Sequence, residues 1–119
     1  VRRDIKNDGE GRMELCEIDW TDDHCKEVTR DRIQPPTHSY LEKNWMPILD
    51  MPYHYIKWTN PLEIVKVDPT QKKKEQAPNG EITVIPSEVA ITKEFFIPDI
   101  RPQRGGSQVI PFKKGRLAL

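Results

Sequence analysis

Alternating apolar and polar positions recur along most of the chain, and they predict short β-strands. Residues 12–20 form one such alternating segment. Residues 25–33 form a second strand that is rich in charge, which we interpret as an exposed sheet edge. Three further strands, joined by proline-containing turns, are predicted at residues 40–49, 53–59 and 62–67. No segment has the period of an amphipathic helix.

The second half of the chain continues this pattern with more turn signals. Residues 70–80 contain three consecutive lysines and end in Asn79-Gly80, which predicts a solvated loop followed by a tight turn. Strands are predicted at residues 81–85 and 89–96, with an interruption at Pro86.

The C-terminal part predicts one further hairpin. Residues 108–112 form its first strand, and Lys113-Lys114-Gly115 forms its turn. Residues 116–119 begin the partner strand. The chain starts with Val1 instead of Met and finishes in an apolar run, so we expect it to be part of a longer protein.

Composition narrows the class of protein. Only 35% of the residues are hydrophobic, 32% are charged and eleven are proline, which excludes a bundle of long helices. Nineteen basic residues balance nineteen acidic ones, so the overall charge favours neither nucleic acid nor an anionic membrane as a partner. No apolar run approaches the roughly 20 residues that span a bilayer. Charge and cysteine content do not indicate a cellular compartment.

These elements predict an all-β fold made of antiparallel four-stranded meanders, as in the blades of a β-propeller. We divide the chain into the outer part of one blade (1–36), one complete blade (37–97) and the start of the next (98–119). The prediction is therefore an incomplete propeller of about two blades.

Cysteine, histidine and acidic residues do not form a metal motif in this sequence. Cys16 and Cys25 leave a disulfide open. His54 has no second histidine or carboxylate at ligand spacing. The acidic run at residues 19–23 lacks the spacing and the central glycine of a calcium loop, so we interpret it as a solvated turn.

Two runs of residues carry a family resemblance. Glu42-Lys43-Asn44-Trp45-Met46-Pro47, followed by the aromatic strand and turn at residues 53–61, resembles the five-bladed β-propeller glycosidases and β-mannoside phosphorylases. Arg104-Gly105-Gly106-Ser107, with the apolar strand behind it, resembles the same group. The resemblance extends from about Leu15 to the end of the chain.

The resemblance implies a carbohydrate pocket on the propeller axis, with no metal or organic cofactor strictly required. Glycoside cleavage needs two acidic groups, and a phosphorylase replaces one of them with inorganic phosphate held by basic side chains. Glu42 is the candidate catalytic carboxylate. The candidate substrate-binding residues are Lys43, Asn44, Trp45, Arg104, Gly105 and Gly106.

Each of these residues also has a purely structural interpretation. Glu42 could cap the backbone of a neighbouring blade, and Trp45 could belong to the core between blades. The glycine pair at residues 105–106 could form a β-bulge instead of allowing close approach of a ligand.

Three functional hypotheses stay open at this point. The parent protein is a glycoside hydrolase or phosphorylase whose second acid lies in another blade, so that the isolated chain is inactive. Alternatively, it is a carbohydrate-binding propeller without catalysis. The third hypothesis is a structural β-protein that forms homo-oligomers through exposed sheet edges.

Overall fold

A computed structural model describes residues 9–59, 61–78, 80–93 and 106–118. Every regular element in these ranges is a β-strand, which confirms the all-β class. In chain order the strands are β1 (Glu14–Trp20), β2 (Cys25–Gln34), β3 (Met46–Pro47), β4 (His54–Thr59), β5 (Leu62–Val67), β6 (Lys73–Ala77), β7 (Gly80–Lys93), β8 (Ile110–Phe112) and β9 (Gly115–Leu117).

The chain divides into two compact units. The first consists of Val1–Lys43 and Asp68–Pro86, and the second of Asn44–Val67 and Ser87–Leu119. Strand β7 therefore gives its first half to the first unit and its second half to the second unit. The division into blades at residues 1–36, 37–97 and 98–119 stays a prediction.

The first unit is a sheet in the order β1-β2-β7-β6. Strands β1 and β2 form an antiparallel hairpin, and β2 pairs with β7 in parallel, from Arg32 opposite Val84 to Gln34 opposite Pro86. Strands β6 and β7 form a hairpin in which Ala77 lies opposite Gly80. The apolar residues buried in this unit are Ile33, Ala77, Val84 and Ile85.

The prediction that β2 is an exposed edge is correct for the first two thirds of the strand and wrong for the last third. Residues 25–31 pair only with β1 among the described strands, and residues 25–30 are mostly exposed, whereas residues 32–34 also pair with β7. Asp31, Arg32 and Ile33 are all buried, although successive strand residues point to opposite faces. The last third of β2 is therefore covered on both faces. The charged residues at this end of β2 did not indicate an edge, because Asp31 and Arg32 are buried in ion pairs with Lys72 and Glu10.

The predicted loop over residues 70–80 is also a strand for much of its length. Residues 73–77 form β6 and pair with β7 from Lys73 opposite Val84 to Ala77 opposite Gly80. The three lysines are exposed, as expected, but Lys72 Nζ lies 2.7 Å from the Asp31 carboxylate. Cross-strand pairing outweighed the low strand propensity of lysine.

The second unit contains an antiparallel meander of four strands. Its order is β3-β4-β5-β7, and each neighbouring pair is antiparallel. Strands β4 and β5 were predicted nearly to the residue. The short hairpin β8-β9 also belongs to this unit, and Ile48 and Val109 form an isolated parallel bridge.

The predicted strand over residues 40–49 is much shorter than expected. Only Met46 and Pro47 form β3. Asn44 has a φ of 59°, which is the left-handed region and cannot be part of an extended strand. Asparagine tolerates this region better than most residues, so the local chain reversal has a physical reason.

The predicted interruption at Pro86 is absent, since β7 runs from Gly80 to Lys93. Proline cannot donate a backbone hydrogen bond, but Pro86 lies where β7 changes partners. Val84 is the last residue opposite β6, and Ser87 is the first opposite β5. Pro86 therefore has no partner in the ladders with β6 and β5, and it lies at the end of the parallel ladder, opposite Gln34 of β2.

The core of the second unit joins the meander to the segment that precedes β8. Met46, Ile48, Ile64 and Val109 form a buried cluster, with Met51, Ile56 and Leu62 packed against it. The amide of Val109 donates to Pro47 O at 2.8 Å, and the amide of Leu49 donates to Val109 O at 3.0 Å. Arg116 of β9 also forms two hydrogen bonds with Asp50, at 3.1 and 2.8 Å.

Truncation of a core isoleucine gives a direct test of this packing. Ile48 is 3% exposed, whereas Ile110 is 41% exposed. We expect Ile48→Ala to lower the free energy of unfolding by about 2–5 kcal/mol, because it removes buried contacts and leaves a cavity. Urea denaturation measures this loss. Ile110→Ala is the matched control, and an equal loss in both variants would contradict the assigned core.

The Asp50–Arg116 contact predicts a measurable pKa shift. The hydrogen bond from Arg116 lowers the pKa of Asp50 below its ordinary value of 3.8. Because the pKa of Asp50 is lower in the folded state, the contact stabilises the fold at pH values above the ordinary pKa. This stabilisation is lost as the pH falls through the lower pKa of the folded state. In an NMR titration, Arg116→Gln should raise the pKa of Asp50. Lys114→Gln, in the same hairpin, should leave it unchanged.

Candidate functional site

The first unit encloses an unusual set of charged side chains. Arg12, Arg32 and Glu42 are each 1% exposed, and they are among the largest fully buried side chains in the described ranges. Burial of a charge is costly unless the charge is paired and hydrogen-bonded. This set, together with Glu10, is called the arginine–glutamate cluster below.

Glu10 connects the two arginines of the cluster. Its Oε2 accepts a hydrogen bond from Arg12 Nη2 at 2.7 Å, and Arg32 Nη2 lies 3.4 Å from the same oxygen. On its other side, Glu10 Oε1 lies 3.6 Å from His38 Nε2. The Glu10 side chain is 23% exposed, so this carboxylate is the member of the cluster that meets solvent.

The backbone carbonyl of Gly11 contacts two members of the cluster, Arg12 and Glu42. Arg12 Nη1 donates to Gly11 O at 2.9 Å, and the amide of Glu42 donates to the same oxygen at 2.9 Å. The amide of Gly11 in turn donates to Tyr40 O. Gly11 and Leu41 form a parallel bridge, which brings the segment before β1 beside the segment that contains Glu42.

Glu42, the predicted catalytic residue, is therefore a buried carboxylate. Ser39 Oγ donates a hydrogen bond to its Oε1 at 2.6 Å. A general acid must come within hydrogen-bond distance of the leaving oxygen of the substrate. With 1% of its surface exposed, Glu42 reaches a substrate only if the segment that covers it moves.

The other predicted site residues are distributed over both units. Lys43 ends the first unit and is exposed. Asn44 begins the second unit, also exposed, in its left-handed conformation. Arg104 and Gly105 lie outside the described residues, so their predicted roles in substrate binding stay predictions.

Trp45 lies in the interior of the second unit. It is 6% exposed, and its ring centroid is 6.2 Å from that of Tyr55 at an interplanar angle of 47°. Burial raises the pKa of the Tyr55 hydroxyl group above its ordinary value of 10.0, with a smaller contribution from the neighbouring Tyr53. Little of the Trp45 ring is open to a sugar, and this favours the core interpretation of this residue.

Gly106 has room for a side chain in the described structure. A Cβ atom built on Gly106 would have no described atom within 4 Å, and the same is true of Gly115. Neither residue has a φ in the left-handed region. The described fold therefore does not require glycine at position 106 for either reason.

The described residues contain no group of three or more histidine, cysteine, aspartate or glutamate side chains placed to hold a metal ion. Cys16 and Cys25 are exposed free thiols. Cys16 lies opposite Arg30 and Cys25 opposite Trp20, so they are well separated along the hairpin. Across the ranges that the structure covers, no helix is long and apolar enough to cross a membrane.

Comparison of the chain with protein-family models, with curated proteins and with solved structures gives no match in any of the three.

Sequence reasoning missed Glu10, Arg12, Arg32 and Ser39. These residues look like ordinary polar positions near the ends of strands. The one available signal was the set of opposite charges at residues 10, 12 and 32, and their proximity depends on the pairing of β1 with β2. A sequence pattern alone does not give that long-range contact.

The pairing in the arginine–glutamate cluster predicts that Glu10→Gln destabilises the fold far more than the same substitution at an exposed glutamate. Glu10→Gln removes the negative charge that two buried guanidinium groups share, and we expect it to lower the free energy of unfolding by about 3 kcal/mol. Chemical denaturation at neutral pH measures the change.

Glu81→Gln is the matched control. Glu81 pairs with Lys74 at 3.2 Å, but both side chains are largely exposed, so its loss should have little effect. Similar small losses in the two variants would show that the cluster is not a stabilising centre.

Proposed function

We propose that this chain is a section of a carbohydrate-active β-propeller protein of the glycoside hydrolase or phosphorylase type. In this proposal the second unit supplies a blade, and its first residues contact a glycan. The whole protein cleaves or binds a glycoside, with phosphate as co-substrate if it is a phosphorylase. Glu42 keeps its predicted role as a catalytic carboxylate, and a second acid comes from elsewhere in the propeller.

The antiparallel meander of the second unit is the observation that carries the proposal. Propeller blades are four-stranded antiparallel sheets. Strands β3, β4, β5 and the second half of β7 have this connectivity, and β6 lies in the connection between the last two. The run Glu42-Lys43-Asn44-Trp45 leads directly into the first of these strands, which is where the family resemblance expects residues that contact the ligand.

Gly106 is the predicted ligand contact of the second run that lies within the described residues. Glycine permits close approach of a ligand to the backbone. A Cβ atom at this position meets no described atom within 4 Å, so Gly106→Ala adds a methyl group without a clash among the described residues.

Assembly through exposed surfaces is the second candidate function. Strand β1 is a sheet edge, and Ile18 and Trp20 on it are 53% and 73% exposed. Exposed apolar groups of this kind are typical of contact surfaces. This alternative needs no glycan.

Two glycine substitutions separate a ligand contact from a structural effect. A β-linked manno-oligosaccharide added to the isotope-labelled 119-residue chain should shift the amide NMR signals of Asn44 and Gly106. We expect Gly106→Ala to weaken this binding by at least about tenfold, because the added methyl group occupies the space of the sugar. Its free energy of unfolding should stay near that of the unmodified chain.

Gly115→Ala is the matched control, since its Cβ atom also meets no described neighbour within 4 Å. It should change neither binding nor stability. A β-linked gluco-oligosaccharide of equal length tests specificity for the sugar. If neither oligosaccharide shifts the two signals, or if both glycine variants bind as the unmodified chain does, the role of Gly106 in glycan contact is wrong.

A further inference from the structure

The hairpin β1-β2 combines exposed apolar side chains with an excess of carboxylates, two of which lie in the turn that follows Trp20. Ile18 and Trp20 are two positions apart on β1, so they share one face, and Val28 at the bulge of β2 is 52% exposed. Residues 14–30 contain six carboxylates against one lysine and one arginine. The arginine already pairs with Glu14 and Glu27. This surface is called the acidic hairpin.

The hairpin β8-β9 has the opposite charge. Ile110 lies opposite Leu117, and both share a face with Phe112, with each of the three between 41% and 49% exposed. Residues 106–118 contain Lys113, Lys114 and Arg116 and no acidic residue. Arg116 is engaged by Asp50, which leaves the two lysines of the turn to meet a partner. This surface is called the basic hairpin.

From this complementarity we propose that the acidic hairpin of one copy of the chain docks on the basic hairpin of a second copy. Both surfaces combine exposed apolar residues with charge, and their charges are opposite in sign. Like charges disfavour an acidic hairpin against another acidic hairpin, and the same holds for two basic hairpins. The favoured contact is therefore head-to-tail, with different surfaces on the two copies.

Strand edges add a second contribution to this contact. Strand β1 is the edge of the first unit's sheet, and β9 pairs only with β8 among the described strands. Edge strands present backbone donors and acceptors that can pair with another strand. A bulky aromatic residue such as Trp20 is the kind of residue that dominates the binding energy of interfaces. A head-to-tail contact repeats from copy to copy, so it produces rings or open chains.

The test is sedimentation velocity of the full chain over a wide concentration range, without glycan and with a reductant that keeps Cys16 and Cys25 reduced. We expect association that grows with concentration and weakens as salt is added. The double reversal Asp22→Lys with Asp23→Lys, in the exposed turn of the acidic hairpin that follows Trp20, should abolish it. Lys113→Glu with Lys114→Glu, in the basic hairpin, should also abolish it.

Mixing the two double variants should restore association. The first variant keeps the unmodified basic hairpin, and the second keeps the unmodified acidic hairpin, so these two surfaces can still dock on each other. Trp20→Ala should weaken the association by at least about tenfold. The control is Glu81→Lys with Glu88→Lys, which changes the net charge as much as the first variant does but lies outside both hairpins. It should associate as the unmodified chain does.

A chain that is monomeric at every concentration would overturn the proposal. So would association that survives both double reversals and does not weaken with salt, because that result would indicate an apolar contact between identical surfaces. Failure of the mixture to associate would exclude pairing between the two hairpins. None of these results depends on glycan binding, so each is distinct from a failure of the proposed function.

Discussion

The shared pairing of Arg12 and Arg32 with Glu10 is the constraint on which the first unit depends. Two guanidinium groups with 1% exposure cannot stay in an interior whose buried apolar residues are few unless a carboxylate meets them. Glu10 supplies that carboxylate from the segment before β1. The parallel bridge between Gly11 and Leu41 brings the segment that contains Glu42 beside it. The cluster thus fixes where three distant segments of chain meet.

This constraint also explains which parts of the fold the sequence could predict. The alternation of residues in β1 and the aromatic and apolar runs of β4 and β5 are local signals, so they located these strands within a residue or two. The burial of Asp31 and Arg32 depends on a parallel partner, β7, that lies about fifty positions away. No local pattern contains that partner, so the sequence did not predict that the last third of β2 lies between two strands.

The same distinction applies to the candidate site. The runs at residues 42–45 and 104–107 were visible because they contain unusual residue types in a short stretch. The directions of their side chains could not be predicted in the same way. Alternation places Glu42 and Asn44 on the same side of the chain only if the backbone is extended. The φ of 59° at Asn44 breaks that assumption. Gly106 shows the converse case, because only coordinates reveal that the described structure has no steric need for a glycine there.

Neutral overall charge conceals a strong separation of charge along this chain. Equal numbers of acidic and basic residues suggested no charged partner, but that balance is the sum of an acidic hairpin near one end and a basic hairpin near the other. Electrostatic attraction between proteins acts over about 8–10 Å at ordinary salt, so it responds to local patches and not to the total. Each hairpin therefore prefers a surface of opposite sign, although the total charge of the chain is zero.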